Sequence, residues 1–399
     1  MPDILHSTLS VLHFTFYNIV YSRSKNDIHR NANIEIWIIE VFSRCKNLVL
    51  VGRFEQINKS TNQQINMKLR VSLLGGGSWG TTVASLTARN SPTTMWARDS
   101  HTVDEINRHH RNEKYLPGAT LHEALRATTS IREAVQDADV IVMGVPSQSF
   151  RHVLEEAKPY IRPWVPIVSL SKGLEQGTKM RMTEIIGTIM PGHPAGVLTG
   201  PNLAMEILKG QAAAGVIAMV DDTIAEALQS VFRSGLFRVY TNSDVIGCEL
   251  GGALKNVIAI AAGMGDGAGA GDNTRSAVIT RGLAELTRLG VAMGGHPATF
   301  AGLAGMGDLI ATCISPLSRN RYVGIQLGKG RSLDDIISEM SMVAEGVKTC
   351  GVVIELAQQY GIEMPITQEV YKVVHDGSTV ADAFRGLLKS RSGSEAEPG

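Results

Sequence analysis

The stretch Leu69-Arg70-Val71-Ser72-Leu73-Leu74-Gly75-Gly76-Gly77-Ser78-Trp79-Gly80 decides the fold. Its apolar part, 69–74, reads as a buried strand and leads straight into glycines spaced G-x-G-x-x-G, with a helical pattern over 81–89 behind them. Each glycine has its own physical task in such a turn. Gly75 permits the tight bend, Gly77 lets the backbone approach a pyrophosphate, and Gly80 lets the helix pack closely on the strand. The helix amides and dipole would then hold phosphate oxygens, with Ser78 and Trp79 of the fingerprint as further cofactor contacts. Glycine-rich loops are common, and it is the strand-turn-helix setting that makes this one a prediction of dinucleotide binding.

About twenty residues downstream, at the end of a second short strand over 93–96, stands Trp96-Ala97-Arg98-Asp99. An acidic residue here suits a ribose 2′-hydroxyl, and an arginine suits a 2′-phosphate. Arg98 comes first, which favours NADP(H); Asp99 keeps NAD(H) open. Farther along, apolar runs at 139–145, 166–170, 196–199 and 215–220 alternate with helical segments such as 147–157. Strands buried on both faces and joined by helices predict a Rossmann-like α/β domain with a mostly parallel sheet over residues 67–242.

From about residue 243 the rhythm changes. Helical patterns at 246–264, 274–289, 333–342 and 346–360 predict an all-α domain over 243–388. Within it, Leu250-Gly251-Gly252-Ala253-Leu254-Lys255-Asn256-Val257-Ile258 is apolar nearly all round, so this helix is expected to be buried. Lys255 and Asn256 are the exceptions. Burial penalises an ammonium and lowers its pKa toward the range of a general acid or base. A lysine snorkelling at a domain interface is the plain alternative. The glycine-rich run 263–272 reads as a flexible structural turn and lacks the acidic spacing of a calcium loop. Ser318-Arg319-Asn320-Arg321 alone reads as surface loop. Beside the other motifs, Arg319 offers a planar fork for phosphate oxygens, and Ser318 and Asn320 offer neutral donors.

The 399 residues carry 38 basic and 38 acidic side chains, which argues against a nucleic-acid partner bound through a broad basic field. Cys45, Cys248, Cys313 and Cys350 form no C-x-x-C pair, so neither a disulfide framework nor a zinc ribbon is indicated, and no metal is expected. No apolar run reaches the ~18 residues of a membrane span. The chain is expected to be soluble and cytoplasmic, and its Gly/Ala-rich helices suit a homodimer. Residues 1–66 differ in style, with a single glycine (Gly52) and a single alanine (Ala32). They read as an atypical extension, disordered or belonging to an over-long start, without the basic leader and cleavage site of a signal peptide. The last residues, 389–399, read as a disordered tail.

Taken in order, the glycine fingerprint 75–80, Trp96-Ala97-Arg98, Ser171-Lys172-Gly173-Leu174-Glu175, Thr199-Gly200-Pro201-Asn202, Leu254-Lys255-Asn256, Gly307-Asp308-Leu309 and Ser318-Arg319-Asn320-Arg321 closely resemble the bacterial NAD(P)-dependent glycerol-3-phosphate dehydrogenases. The resemblance spans residues 67–388. It implies reversible reduction of dihydroxyacetone phosphate to sn-glycerol 3-phosphate, the backbone of glycerophospholipids. By the same resemblance, Lys255 carries the catalytic proton, Asp308 orients that lysine and touches substrate, and Lys172 faces both substrate and cofactor. Gly200 and Asn202 would line the substrate. Ser318, Arg319 and Asn320 would hold its phosphate, with Arg319 also near the cofactor. Ala204, Val343 and Glu345 would be cofactor contacts.

Two features depart from the family pattern. Asn202 stands where Ser or Thr is usual, and the turn 90–94 lacks the usual Gly-His, which loosens the alignment leading to Arg98. Two rival functions stand beside this one, the first of which shares the architecture. A β-hydroxyacid dehydrogenase would take a carboxylate substrate. A non-catalytic NADP sensor would have no reason to keep a lysine in its helical core.

Overall fold

The computed structural model of the chain describes residues 68–340 and 344–389. The extension 1–66, Val343 and residues 390–399 lie outside the described residues. One sheet holds β1 Val71–Leu74, β2 Thr93–Trp96, β3 Arg126–Thr128, β4 Val140–Met143, β5 Ile167–Ser169, β6 Ala195–Thr199, β7 Ala213–Met219 and β8 Phe237–Asn242. Between these strands run α1 Ser78–Thr87, α2 Ser100–His109, α3 Ile131–Val135, α4 Ser147–Ala157, α5 Met182–Ile189, α6 Ala204–Leu208 and α7 Asp222–Phe232.

The strand order is β3-β2-β1-β4-β5-β6-β7-β8. All neighbours are parallel except β6 and β7, which pair antiparallel. This is a Rossmann-like sheet whose order reverses between β1 and β4, the switch point beside which α/β sheets bind ligands. Both strands there are buried along their whole length, Val-Ser-Leu-Leu and Val-Ile-Val-Met. Successive side chains point to opposite faces. Accordingly Leu73 and Val142 join the core on one side of the sheet, and Leu74, Ile141 and Met143 the core on the other.

The rest is helical: α8 Val245–Gly267, α9 Asp272–Ala292, α10 Pro297–Phe300, α11 Asp308–Ile314, α12 Arg319–Gly328, α13 Leu333–Glu339, α14 Glu345–Tyr360, α15 Pro365–His375 and α16 Val380–Lys389. A π-type turn, Leu303–Gly307, leads into α11. Asp244 starts this half by accepting hydrogen bonds from the Gly247 and His296 amides, both at 2.8 Å. Lys389, first residue of the expected tail, closes α16.

Two expectations need correction. The glycine run 263–272 is not a loop throughout, because α8 continues to Gly267. A Cβ at Gly263 would lie 2.2 Å from the Arg321 carbonyl oxygen, and one at Gly324 would lie 2.1 Å from that of Ile260. Gly267 and Gly328 repeat the arrangement one turn on. Here glycine brings the backbones of α8 and α12 into contact, and that packing overrides its poor helix propensity. The second correction concerns length: α8, with 23 residues, is long and apolar enough to cross a membrane, as is the partly buried stretch Pro297–Ile314. Helix α8, however, is the buried core of the helical half, enclosed by the chain's own helices.

The halves are locked by a buried ion pair. Glu249 on α8 accepts from Arg181 Nη1 at 2.6 Å and from the Thr183 amide at 2.9 Å, at the start of α5. The cost of desolvating the two charges offsets much of what such a pair adds to stability.

Candidate active site

The glycine turn has the geometry a pyrophosphate cradle needs. Gly75 adopts φ +128°, and a Cβ there would meet the Gly144 carbonyl oxygen, just beyond β4, at 2.5 Å. At Gly80 a Cβ would strike the Gly75 oxygen at 2.4 Å, whereas at Gly77 it would meet nothing within 4 Å. Thus Gly75 and Gly80 close the turn and Gly77 borders open space. Helix α1 begins at Ser78 with no side-chain cap, which leaves its first amides to an anion. Trp79 packs edge-on against Phe237, with ring centroids 6.2 Å apart. These residues fit a dinucleotide.

At the end of β2, Arg98 is exposed and Asp99 is occupied. The Asp99 carboxylate caps α2, accepting from the His101 amide and Thr102 Oγ1, each at 3.1 Å, and Lys114 Nζ lies 3.7 Å away. The His101 amide leads the effects that hold this carboxyl below the usual carboxylate range. Ala204 opens α6, which packs against α1.

A second group of predicted residues converges on one carboxylate. Lys255, on the buried α8, is only 4% exposed, and its Nζ donates to Asp308 Oδ1 at 2.6 Å and to Thr312 Oγ1. Lys172, just beyond β5, donates from Nζ to Asp308 Oδ2 at 2.7 Å and to the Gly200 carbonyl at 2.9 Å. Four elements therefore meet here: β5, β6, α8 and α11. Burial pulls the Lys255 pKa down to about 8; the neighbouring Lys172 charge adds to that effect, while Asp308 opposes it. An ammonium poised near neutrality beside open polar groups is suited to proton transfer.

Polar groups near this point keep free valences. Gly200 takes φ +125°, and Asn202 Nδ2 donates to the Ala214 carbonyl at 2.9 Å. Asn202 Oδ1 and Thr199 Oγ1 are buried with no hydrogen-bond partner among the described residues. Each such atom leaves a hydrogen bond for water or a ligand to make.

The third group is tied to the second by amides. Asn256 Nδ2 donates to the Lys172 carbonyl at 3.3 Å, Asn320 Nδ2 to Asn256 Oδ1 at 3.0 Å, and the Gly346 amide to Asn320 Oδ1 at 3.0 Å. Ser318 caps α12, accepting from the Arg321 amide at 3.3 Å. Arg319 keeps exposed area, yet the protein around it desolvates its guanidinium and lowers its pKa, against the opposing charge of Glu345. Burial pushes the Glu345 carboxyl up, although Ser147 Oγ donates to its Oε2 at 2.9 Å. Arg321 pairs instead with Asp266, Nη2 to Oδ2 at 2.7 Å.

Thr312, Asn256 and Ser147 thus belong to the constellation without having been assigned a role from sequence. Thr312 could have been found, since it follows Asp308 by four residues on one helix and so shares its face. Ser147 meets Glu345 across 198 residues, which no local pattern reveals.

Comparison with known proteins bears on the family and the fold. Residues 70–225 match the family described as NAD-dependent glycerol-3-phosphate dehydrogenase N-terminus, and residues 244–385 match the corresponding C-terminus. The chain is 65% identical over 333 residues to glycerol-3-phosphate dehydrogenase [NAD(P)+] 2 of Sphingopyxis alaskensis, covering 84% of this chain and all of the relative. To the Mycobacterium avium glycerol-3-phosphate dehydrogenase [NAD(P)+] it is 57% identical, covering 82% and 96%. The crystal structure of glycerol-3-phosphate dehydrogenase from Coxiella burnetii superposes with a TM-score of 0.78 at 35% identity, covering 81% of this chain and all of the other. With both family domains matched along residues 70–225 and 244–385, and with relatives this similar over nearly their whole length, the chain belongs to the NAD-dependent glycerol-3-phosphate dehydrogenase family.

Proposed function

We propose that Lys255 is the proton carrier of the family reaction, the NAD(P)-dependent interconversion of dihydroxyacetone phosphate and sn-glycerol 3-phosphate. Lys172 and Asp308 set its charge and place. The carrying observation is the shared carboxylate: one buried aspartate holds two lysines from different halves of the chain, one on each oxygen. In reduction, the Lys255 ammonium gives its proton to the oxygen developing at C2. In oxidation, the neutral amine takes it back. The bound nicotinamide supplies or receives the hydride.

The residues that would hold the cofactor are Gly75, Gly77, Ser78, Trp79 and Gly80 at the pyrophosphate, and Arg98 at the adenosine end. Lys172, Ala204, Arg319 and Glu345 would approach the rest. Gly200, Asn202, Ser318, Arg319 and Asn320 would orient the substrate, Arg319 taking the phosphate. A distal phosphate clamp fixes the carbonyl, so remote binding energy becomes orientation at C2. The preference is for NADP(H), because capping occupies Asp99 while Arg98 is exposed. A homodimer in the cytoplasm completes the proposal. The exposed apolar row Met306, Ile310, Ile314 and Leu317 supports self-association, which sedimentation at assay concentration would test.

The central test is the oxidation of NADPH and NADH with dihydroxyacetone phosphate, in the parent enzyme and in Lys255→Ala. The variant should bind NADPH normally and lose about 10²–10⁴ in kcat. Undiminished turnover would remove Lys255 from the chemistry.

A further inference from the structure

Asn112 lies in the segment after α2, outside every motif recognised in the sequence, and is fully buried. Its Nδ2 spends both hydrogens on the phosphate turn, donating to the Gly76 carbonyl at 3.0 Å and to Thr81 Oγ1 at 2.9 Å. The Gly76 oxygen can only accept, so the amide nitrogen must face it. Thr81 in turn gives its own amide to the Gly77 carbonyl at 2.9 Å. One side chain therefore clamps the turn on both sides of Gly77. Asn112 is itself held, because its carbonyl accepts from the Tyr115 amide at 3.2 Å and the Leu116 amide at 2.8 Å. Its Oδ1, in contrast, is buried with no hydrogen-bond partner among the described residues. A side chain kept only to fill space would have no use for two donors at the cost of a stranded acceptor.

The consequence follows from peptide geometry. The Gly76 carbonyl and the Gly77 amide belong to one planar trans unit, so pinning the oxygen aims the N–H in the opposite direction. We propose that Asn112 is a positioning residue for the cofactor, setting the plane of the Gly76–Gly77 peptide and hence the aim of the Gly77 amide at the pyrophosphate. The proposal rests on the dinucleotide reading of this turn. Asn112→Asp is nearly isosteric but turns an acceptor toward the Gly76 oxygen, Asn112→Ala removes the clamp, and Thr81→Val removes only one of its two anchors.

The experiment is calorimetric titration of each variant with ADP-ribose and with NADPH, alongside steady-state kinetics and thermal melting without ligand. Asn112→Asp and Asn112→Ala should raise both dissociation constants about tenfold to a hundredfold, and Thr81→Val by less. The KM for dihydroxyacetone phosphate and kcat at saturating cofactor should stay within about threefold of the parent. Unchanged dissociation constants would overturn the proposal, as would a joint fall in affinity, kcat and melting temperature, which marks general structural damage. If the Asn112 variants do not fold, Thr81→Val decides, and unchanged affinity there overturns the proposal. A parent enzyme that binds neither ADP-ribose nor NADPH would instead refute the dinucleotide reading, and the proposal with it.

Discussion

Lys255 and Lys172 face each other across the single carboxylate of Asp308, each within 2.7 Å of its own oxygen. One negative charge is thus shared between two positive ones in a largely water-free place. Burial is what chiefly lowers the Lys255 pKa to about 8, and the arrangement holds the lysine close while the Lys172 charge adds to that fall and Asp308 only partly opposes it.

The pH dependence has a definite sign. With a pKa lowered to about 8, Lys255 is protonated below that value and neutral above it. Reduction needs the ammonium, so kcat/KM for dihydroxyacetone phosphate should be level below about pH 8 and fall about tenfold per pH unit above it. Oxidation of glycerol 3-phosphate needs the amine and should rise over the same interval. Initial-rate profiles in both directions check this; parallel profiles would exclude a common group.

Replacing Asp308 by Asn removes the charge that holds Lys255 up. The Lys255 pKa should then drop further, moving the break in the reduction profile to lower pH. Two ammoniums would also lose their shared counter-charge in a buried place, which costs on the order of 3–5 kcal/mol of folding stability. Denaturant titration reads the second effect and the pH profile the first, so the two are separable.

Arg319→Ala should raise KM for dihydroxyacetone phosphate about 10–150-fold, as expected for loss of a charged hydrogen-bond donor. Unphosphorylated dihydroxyacetone should be affected far less. Equal losses on the two substrates would move Arg319 away from the phosphate.

At the adenosine end, Arg98→Ala should raise KM for NADPH by roughly tenfold and leave KM for NADH nearly unchanged. Asp99 caps α2, so Asp99→Ala should lower the melting temperature through loss of a cap worth ~1 kcal/mol, without improving NADPH use.

The helix crossing offers a test of stability apart from the chemistry. A methyl group at Gly324 would intrude to 2.1 Å from the Ile260 oxygen, so Gly324→Ala should cost at least ~1–3 kcal/mol as backbones are pushed apart. An alanine in an exposed helix interior would have stabilised instead. Urea denaturation distinguishes the two signs.

The parts readable from sequence were those whose signal is local. Val71–Leu74 and Val140–Met143 are runs buried on both faces, and such strands announce themselves by composition. The glycine spacing and the apolar helix around Lys255 are likewise written in consecutive residues. The parts that escaped lack such a run. Strand β3 has three residues, and β8 alternates buried Phe237 and Val239 with exposed Arg238 and Tyr240. The run 263–267 misled because glycine favours loops locally, whereas here it serves a neighbour sixty residues away.

The chain order of residue types, by itself, determined the α/β-then-α division, the glycine turn and the oddity of an amine within a greasy helix. Only the folded chain decided that Asp308 serves two lysines, that Asp99 is taken up in capping, and that Asn112 is bonded to the glycine turn. Periodicity and propensity act over a few residues. A hydrogen bond across the fold depends on where two distant backbones happen to meet, and no run of neighbours encodes that meeting by itself.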